Sequence, residues 1–140
     1  DHPADLYVLS AGEDLVNPEV AYIIEHDLTY VSFPELLYEL SKDRLRIVVA
    51  GTHGKSTTAA LLGTLLSEID DSSYMVGAVL QGKQTNFQVG NGNYFIFEGD
   101  EYKSTFDDPT PKFQYYRPDI VILNNVEFDH PDAFSTIEYI

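Results

Sequence analysis

The amino-acid sequence predicts an α/β fold with a mostly parallel sheet. Short runs of β-branched and aromatic residues alternate with segments whose apolar residues recur at helical spacing, which is typical of βαβ units. The clearest case is the apolar run 45–50, which enters a glycine turn and leads directly into an amphipathic helix. With 140 residues, 44% of them hydrophobic, the chain can form a core as one domain or as parts of two.

Residues 1–43 are predicted to alternate strand, helix, strand and helix. The predicted elements are a strand at 6–9, a helix from Asn17 to about His26, a strand at 29–31 and a helix that begins with Ser32 and Glu35. Asn17 suits the N-cap of the first helix, and Pro18 suits its first position. Ser32 and Glu35 have the spacing of a capping box. Two strands do not form a stable layer alone, so we expect the end of a larger open sheet.

A second α/β unit is predicted over residues 44–140. Its predicted elements are a strand at 45–50, a helix near 55–69, a strand at 74–79, a polar glycine-rich stretch at 81–93, a strand at 94–98, a loop at 99–118, a strand at 119–124 and the start of a final helix. The helix is expected to bury the face formed by Ala59, Leu62, Leu66 and Ile69. Both faces of 119–124 are apolar, which predicts a strand buried on both sides.

The segment 51–57 has the layout of a phosphate-binding loop. Its glycine turn exposes backbone N–H groups and the next helix adds its positive end, so a polyphosphate is held with little help from side chains. Lys55 would reach the β- and γ-phosphates, and the hydroxyl of Ser56 would ligate Mg²⁺. The predicted nucleotide-binding residues are Gly51, Thr52, His53, Gly54, Lys55, Ser56 and Thr57.

This loop departs from the full Walker signature, which places a glycine where the chain has Val49. The nearest glycine is Gly51, so the loop is a tighter Gly-Thr-His-Gly-Lys-Ser form. His53 could contact phosphate or occupy a position where the side chain matters little. The alternative for the whole segment is a strand-to-helix turn that uses glycines for close packing. The flanking strand, the helix and the Lys-Ser pair favour a nucleoside triphosphate site instead.

Three carboxylates gather where the apolar run 94–98 ends. They are Glu98, Asp100 and Glu101. Mg²⁺ at a triphosphate keeps waters and uses one or two carboxylates, and Glu98 is the natural ligand because it directly follows four apolar residues. The alternative is a solvated acidic loop, which is what most runs of charge are.

A further polar cluster, residues 124–130, follows the most apolar strand. Ligands of open α/β sheets bind at the carboxyl ends of the strands. If the three strands that end at these clusters are neighbours, Ser56, Glu98 and His130 converge on one spot. Considered alone, Asp129-His130-Pro131 reads best as the N-terminal cap of a final helix with His130 at the surface, because a neutral imidazole suits Zn²⁺ better than Mg²⁺.

The composition argues against several classes of function. The chain has 23 acidic and 8 basic side chains and a formal charge of −15, so no binding to nucleic acid or anionic membranes is expected. It has no cysteine, hence no disulfide or thiolate metal site. No apolar run approaches the roughly 20 residues that span a bilayer, and the first residues do not read as a signal peptide. A cytoplasmic location is expected.

Together these clusters resemble one family, the ATP-dependent muramyl (Mur) amino-acid ligases of peptidoglycan synthesis. Residues 51–58 look like the family's phosphate loop, with the histidine typical of members that add a first residue or a preformed peptide to UDP-N-acetylmuramate. Residues 98–102 are similar to the Glu-Ala-Asp-Glu-Tyr of its murein peptide ligases, with Gly99 in place of alanine. Residues 112–130 resemble those members more than the L-alanine-adding ones, which tend to have proline where Phe128 stands.

The resemblance implies two domains in an excerpt of a longer enzyme. It makes 1–43 the C-terminal part of a Rossmann-like domain that binds the UDP-sugar, and 44–140 the N-terminal part of a central P-loop ATPase domain. Residues 80–93 fit the family pattern poorly, and no substrate contact is carried over to them. The isolated 140 residues are expected to be inactive, because neither part would hold a complete substrate site.

The resemblance also implies a chemistry and the residues for it. ATP and Mg²⁺ are the implied cofactors, with Lys55, Glu98 and His130 in catalysis and Ser56, Glu98 and His130 as metal ligands. In this family the histidine of the Asp-His pair binds a second Mg²⁺. The lactyl carboxylate of UDP-N-acetylmuramate would attack the γ-phosphate of ATP, and the amine of a peptide or amino acid would displace phosphate from the acyl phosphate.

Other functions stay open at this point. The amine is a tripeptide or L-alanine, and the sequence does not choose between them or give the oligomeric state. A folylpolyglutamate or cyanophycin synthetase of the same superfamily is a second possibility, although the Glu98 cluster and the Asp129–His130 pair favour the cell-wall branch. A third is a regulatory module whose phosphate loop changes conformation without ligating anything.

Overall fold

The computed structural model describes residues 4–80, 82 and 84–127. The predicted start of a final helix lies outside these residues. In chain order, the elements are β1 (Tyr7–Leu9), α1 (Pro18–Glu25), β2 (Tyr30–Ser32), α2 (Phe33–Ser41), β3 (Leu45–Ala50), α3 (Lys55–Asp70), β4 (Ser73–Met75), β5 (Phe87–Gln88), β6 (Tyr94–Glu98), α4 (Lys112–Tyr115) and β7 (Ile120–Leu123).

The strands in the described part of the chain form two sheets, and the predicted α/β class is confirmed. β1 and β2 pair in parallel as a two-stranded sheet. Among the described residues the second sheet has five strands in the order β5-β4-β6-β3-β7, and all its pairs are parallel except that of β4 with the short β5. Within the part of the chain that the structure describes, no helix is long and apolar enough to cross a bilayer.

The helices of the first part begin where the sequence predicts. The Asn17 side chain accepts a hydrogen bond from the N–H of Glu19 at 2.8 Å, with proline in the first turn of α1. At α2 the capping box is complete, since the Ser32 N–H donates to the Glu35 carboxylate at 2.7 Å and the Ser32 hydroxyl accepts from the Glu35 N–H at 3.3 Å. Local sequence therefore sets both helix starts.

Each face of the five-stranded sheet packs against a different helix. On one side the buried residues are Ile47, Val49, Ala59, Tyr74, Val76 and Ile96, which join the sheet to α3. On the other they are Leu37, Val48, Phe95, Phe97 and Tyr116, which join it to α2. The ring of Phe97 stacks on both Phe95 and Tyr116, with centroids 4.3 and 4.6 Å apart. Through Leu37, the first part of the chain is packed against the second.

The predicted buried face of α3 is correct except at one end. Ala59 is fully buried, and Leu62 and Leu66 pack against the same cluster. Ile69 is 71% exposed, so its predicted burial is wrong. The helix contacts the sheet through a stripe that passes over Gly63 and leaves Ile69 at its edge, and no described element covers that edge.

The segment between α3 and β6 differs from the prediction. The strand predicted at 74–79 ends at Met75, because the Val76 N–H donates to the Asn86 carbonyl at 3.0 Å and the chain turns back there. The stretch predicted as polar loop at 81–93 contains the antiparallel strand β5. The loop predicted at 99–118 likewise contains the four-residue helix α4.

The prediction that 119–124 is buried on both faces is wrong for the described residues. β7 pairs with β3 on one side and is the last strand of the sheet on the other. Val121 and Leu123 are 56% and 60% exposed. The apolar side chains of β7 would allow burial on both faces. Because β7 is at the edge of the sheet, the described elements do not fully cover either face.

Gly63→Leu is expected to lower the free energy of unfolding by about 1–3 kcal/mol, because a side chain at this position has no space. A Cβ on Gly63 would lie 2.7 Å from the Cβ and Cγ of Tyr74, which is 1% exposed. Urea unfolding of the purified protein measures the loss. Glu68→Leu, on the exposed face of the same helix, is the control and should change stability by less than about 0.5 kcal/mol. Equal effects of the two changes would contradict close packing at Gly63.

Candidate functional site

Three polar segments meet at one edge of the five-stranded sheet. β3 lies between β6 and β7 and is parallel to both, which is the condition for the three polar clusters to meet. In register, Val49 is opposite Glu98 and Ala50 is opposite Leu123. The loops that follow these three strands therefore leave the sheet side by side, where ligands of open α/β sheets bind.

The turn after β3 depends on two glycines. Gly51 has φ +130° and Gly54 has φ +78°, both outside the range that other residues adopt readily. A Cβ on Gly51 would lie 2.8 Å from the carbonyl oxygen of Asn125, and one on Gly54 would lie 3.1 Å from the Asn124 amide nitrogen. The turn is therefore both tightly curved and in close contact with the segment that follows β7.

That segment braces the turn through Asn124 and Asn125. The N–H of Thr52 donates to the Asn125 carbonyl at 3.0 Å, and the N–H of His53 donates to the Asn125 side chain at 2.8 Å. The Asn124 amide donates to the His53 carbonyl at 3.2 Å and to the Thr58 hydroxyl at 3.1 Å. The backbone N–H groups of Thr52 and His53 therefore face Asn125, and the segment after β7 fixes the conformation of the turn.

Asn124 and Asn125 have no individual role among the predictions from the sequence. The signal was present, because two amide side chains follow an apolar strand at the edge where ligands bind. Thr52 was predicted to bind nucleotide, and its hydroxyl instead donates to the Glu127 carbonyl at 3.0 Å and accepts from the Glu127 N–H at 2.8 Å. These bonds make the side chain of Thr52 a second brace of the turn.

The start of α3 offers hydrogen-bond donors. Gly54 is its N-cap and has no side chain with which to cap it. Among the described residues, no acceptor is paired with the backbone N–H groups of residues 54–57. A helix N-terminus with free donors and a positive dipole end is the arrangement that holds phosphate.

Lys55 lies at the mouth of the turn. Its ammonium donates to the carbonyls of Gly51 at 2.8 Å and Thr52 at 3.4 Å, and it forms an ion pair with Glu101 at 3.0 Å. The side chains of Lys55 and Glu101 are only 14% and 20% exposed. An ammonium folded over the loop carbonyls can extend to a phosphate by side-chain rotation alone.

Ser56 and Glu98 form the second feature of the site. The Ser56 hydroxyl donates to the Glu98 carboxylate at 2.7 Å, and the other carboxylate oxygen accepts from the Gly77 N–H at 2.6 Å. A Cβ on Gly77 would lie 2.9 Å from that oxygen, so glycine allows the approach. A hydroxyl and a carboxylate oxygen side by side are ligands that Mg²⁺ accepts.

The third predicted metal ligand, His130, lies outside the described residues. Within the described ranges, no three His, Cys, Asp or Glu side chains cluster as a ready metal site. The structure therefore brings together Lys55, Ser56 and Glu98 of the predicted set. His53 and Thr57 lie exposed at the same turn.

A cavity of about 480 Å³ opens beside these residues, between α2 and the edge of the sheet. Its apolar wall includes Phe33 and Leu37 of α2 together with Phe97 and Tyr116. Its polar lining includes Lys55, Glu98, Asp100, Glu101 and Lys112. Burial, with the charges of Asp100 and Glu98, raises the pKa of the Tyr116 phenol, so this ring stays neutral.

Residues 49–140 match the Mur ligase middle domain family. The chain is 38% identical over 141 aligned positions to UDP-N-acetylmuramate--L-alanyl-gamma-D-glutamyl-meso-2,6-diaminoheptandioate ligase of Escherichia coli. That alignment covers 97% of this chain and 30% of the E. coli protein. Over 120 positions it is 40% identical to UDP-N-acetylmuramate--L-alanine ligase of Leuconostoc mesenteroides, covering 86% of this chain and 24% of that protein.

The fold is similar to solved structures of the same group. The crystal structure of UDP-N-acetylmuramate:L-alanyl-gamma-D-glutamyl-meso-diaminopimelate ligase from Neisseria meningitides superposes with a TM-score of 0.87 at 32% identity. The superposition covers 96% of this chain and 45% of that one. The chain thus spans about a third of the E. coli relative and under half of the Neisseria structure. From its sequence and its fold, the chain belongs to the Mur ligase family.

Proposed function

We propose that this chain is part of an ATP-dependent ligase that forms an amide bond on the lactyl carboxylate of UDP-N-acetylmuramate, in peptidoglycan synthesis or recycling. The observation that carries the proposal is the Ser56–Glu98 hydrogen bond of 2.7 Å beside Lys55 at the start of α3. A hydroxyl, a carboxylate and an ammonium at a helix N-terminus are the groups that a metal-bound triphosphate needs.

ATP fits the turn through main-chain donors and Lys55. We assign the phosphates to the N–H groups of residues 54–57, because those of Thr52 and His53 already donate to Asn125. Gly51, Thr52 and His53 then contribute by shaping the turn. Lys55 would exchange the carbonyls of the loop for phosphate oxygens. Since ATP is supplied in the cytoplasm, we propose that the enzyme acts there.

Mg²⁺ fits the pair formed by Ser56 and Glu98. The carboxylate of Glu98 and the hydroxyl of Ser56 would hold the ion, and His130 is proposed as a further ligand from the sequence. When bound, the ion supplies positive charge that offsets charge on the transferring phosphoryl group. The Gly77 N–H, at 2.6 Å, keeps the Glu98 carboxylate oriented whether or not the ion is there.

The proposed reaction has two steps, and the protein works mainly by position and charge. A carboxylate oxygen of the acid substrate attacks the γ-phosphorus of ATP. The bond from that phosphorus to the β–γ bridging oxygen breaks, ADP departs, and an acyl phosphate is formed. The amine then attacks the acyl carbon, loses a proton and expels phosphate. Lys55 and the helix N-terminus reduce the repulsion between the two anions of the first step.

For the amine we propose a preformed peptide, with L-alanine as the alternative. Relatives with both names match this chain, and the peptide-adding one is aligned over more of it, 97% against 86%. We further propose that residues 1–43 belong to a domain that binds the UDP-sugar and residues 44–140 to the ATPase domain. The five-stranded sheet with its phosphate loop lies in the second of these parts.

A ligation assay of the full-length enzyme that contains this chain tests the proposal. ADP should form only when UDP-N-acetylmuramate is present, and the conjugate should appear when the tripeptide L-alanyl-γ-D-glutamyl-meso-diaminopimelate is added. Faster conjugation of L-alanine than of the tripeptide would select the alternative amine. ADP formation that is indifferent to the UDP-sugar would overturn the ligase assignment.

A further inference from the structure

The cavity beside the phosphate loop has a second cation besides Lys55. Among its described lining residues the two cations are Lys55 and Lys112, and they face three carboxylates, namely Glu98, Asp100 and Glu101. The Lys112 ammonium forms an ion pair with Asp100 at 2.6 Å. The lining as a whole therefore has an excess of negative charge.

The backbone of Lys112 is fixed, and among the described residues its side chain is paired only with Asp100. Lys112 is the first residue of α4, and its N–H donates to the Tyr102 carbonyl at 3.0 Å. The next amide, of Phe113, donates to the Asp100 carbonyl at 3.2 Å. The start of α4 is thus fixed against the segment that follows Glu98, and the lysine side chain can change partner without movement of the backbone.

An acid substrate at this site requires a cation that is not already used. Its carboxylate must lie about 3–3.5 Å from the phosphorus that it attacks, close to the carboxylate of Glu98. Lys55 is occupied by phosphate in the proposed complex, so it does not neutralise a second anion. Among the described residues of the cavity, Lys112 is the remaining cation.

The rest of the lining suits an acid carried on a larger body. Phe33 and Leu37 of α2 and the rings of Phe97 and Tyr116 form an apolar wall opposite the charged residues. A volume of about 480 Å³ is ample for a sugar acid. Lys112 lines the same cavity as this wall, Glu98 and Lys55, so a ligand that packs on the wall lies in the same cleft as the lysine and one edge of the phosphate site.

We propose that Lys112 binds the carboxylate of the acid substrate, releasing Asp100 to do so, and thereby places that carboxylate beside the phosphate site. This inference rests on the proposed function and adds a substrate-binding residue to it. Asp100 acts as the counter-ion of Lys112 while the substrate is absent. The Asp100 carboxylate keeps its second contact, the N–H of Tyr102 at 2.9 Å, after the lysine has left.

The test is the KM of the full-length enzyme for UDP-N-acetylmuramate. Lys112→Met keeps most of the stem and removes the charge, and should raise this KM by about tenfold or more, the loss expected for one charge-assisted hydrogen bond. The KM for ATP should stay within about twofold, which also shows that the variant is folded. Lys112→Arg should recover part of the affinity. An unchanged KM for the acid in Lys112→Met would overturn the inference.

Two further variants separate substrate binding from a structural ion pair. Asp100→Asn frees Lys112, and its KM for UDP-N-acetylmuramate should fall. If the ion pair served only to hold α4, Asp100→Asn would be as harmful as Lys112→Met, and that result would refute the proposed role. Lys103→Met, an exposed lysine of the same loop that does not line the cavity, should leave activity unchanged.

The source of the anionic group is tested with UDP-N-acetylglucosamine, which has the diphosphate and lacks the lactyl carboxylate. Its inhibition constant should be the same for the unmodified enzyme and for Lys112→Met. A weaker inhibition in the variant would assign Lys112 to the diphosphate and overturn the carboxylate assignment. If the unmodified enzyme forms no conjugate at all, the proposed function fails. If the unmodified enzyme forms the conjugate but the Lys112 variants do not show the expected changes in KM for UDP-N-acetylmuramate, only the inference about Lys112 fails.

Discussion

Lys55→Ala is expected to abolish ligation by the full-length enzyme and to leave its fold intact. The ammonium of Lys55 forms a hydrogen bond to the Gly51 carbonyl and an ion pair with Glu101, and its side chain is 14% exposed. In the proposed complex it offsets charge on the β- and γ-phosphates as the phosphoryl group moves. Removing a preorganised charge of this kind lowers turnover by about a thousandfold or more.

The measurement for Lys55→Ala is twofold: ATP binding by calorimetry and conjugate formation by mass spectrometry. Urea unfolding measures the stability of the variant. It should be unchanged, because the variant retains Gly51, Gly54 and the hydrogen bonds from the turn to Asn125. Lys42→Ala is the control. Its ammonium pairs with Glu39 on the exposed surface of α2, where an ion pair contributes little to stability. Undiminished ligation by Lys55→Ala would refute the phosphate loop assignment.

The parts of the fold that could be predicted from the sequence are those set by local chemistry. Asn17 and Ser32 cap their helices because short polar side chains at the end of an extended segment accept the first free N–H groups. The apolar runs at β3 and β6 are predicted because their composition and length match buried strands. Glu98 was correctly placed beside Ser56, because parallel neighbouring strands end at the same edge of a sheet.

The parts that could not be predicted depend on contacts between distant segments. Whether Ile69 or Val121 is buried depends on what packs over α3 and β7. The apolar nature of a side chain does not show whether another element packs against it. The strand β5 forms because the chain turns back after Met75, where the backbone of Val76 is hydrogen-bonded to Asn86. Nothing in the local sequence marks these two residues as partners. Such long-range pairing leaves little signal in a single sequence.

The same distinction applies within the site. The glycines and Lys55 belong to a contiguous motif, so their positions at the turn and at the start of α3 could be predicted from the sequence. Asn125 contacts the turn from 72 positions along the chain, and Glu101 contacts Lys55 from 46 positions away. Both residues were visible as members of polar clusters, but only the strand order shows which groups they meet. A site formed by three strand ends is thus predicted in outline, and its pairings follow from the register.

Gly51→Ala is expected to remove ATP binding, because the turn has no space for a Cβ at this position. At φ +130° an alanine is strained by about 1–3 kcal/mol. Its Cβ would also lie 2.8 Å from the Asn125 carbonyl oxygen and 3.0 Å from the Asn125 nitrogen, so the turn or the segment after β7 must shift. Either shift breaks the bonds from Thr52 and His53 to Asn125 and displaces the start of α3.

Alanine substitutions at two other glycines distinguish backbone strain from steric contact as the cause of the effect. Gly82 has φ +82° with nothing within 4 Å of an added Cβ, so Gly82→Ala has the strain without the clash. Gly12 has open space around it and no positive φ, so Gly12→Ala should be close to neutral. Calorimetry of ATP binding should show a loss only in Gly51→Ala, while Gly82→Ala loses about 1 kcal/mol of stability with ATP affinity unchanged. If Gly51→Ala bound ATP normally, the close approach of the turn to Asn125 would not be what shapes the site.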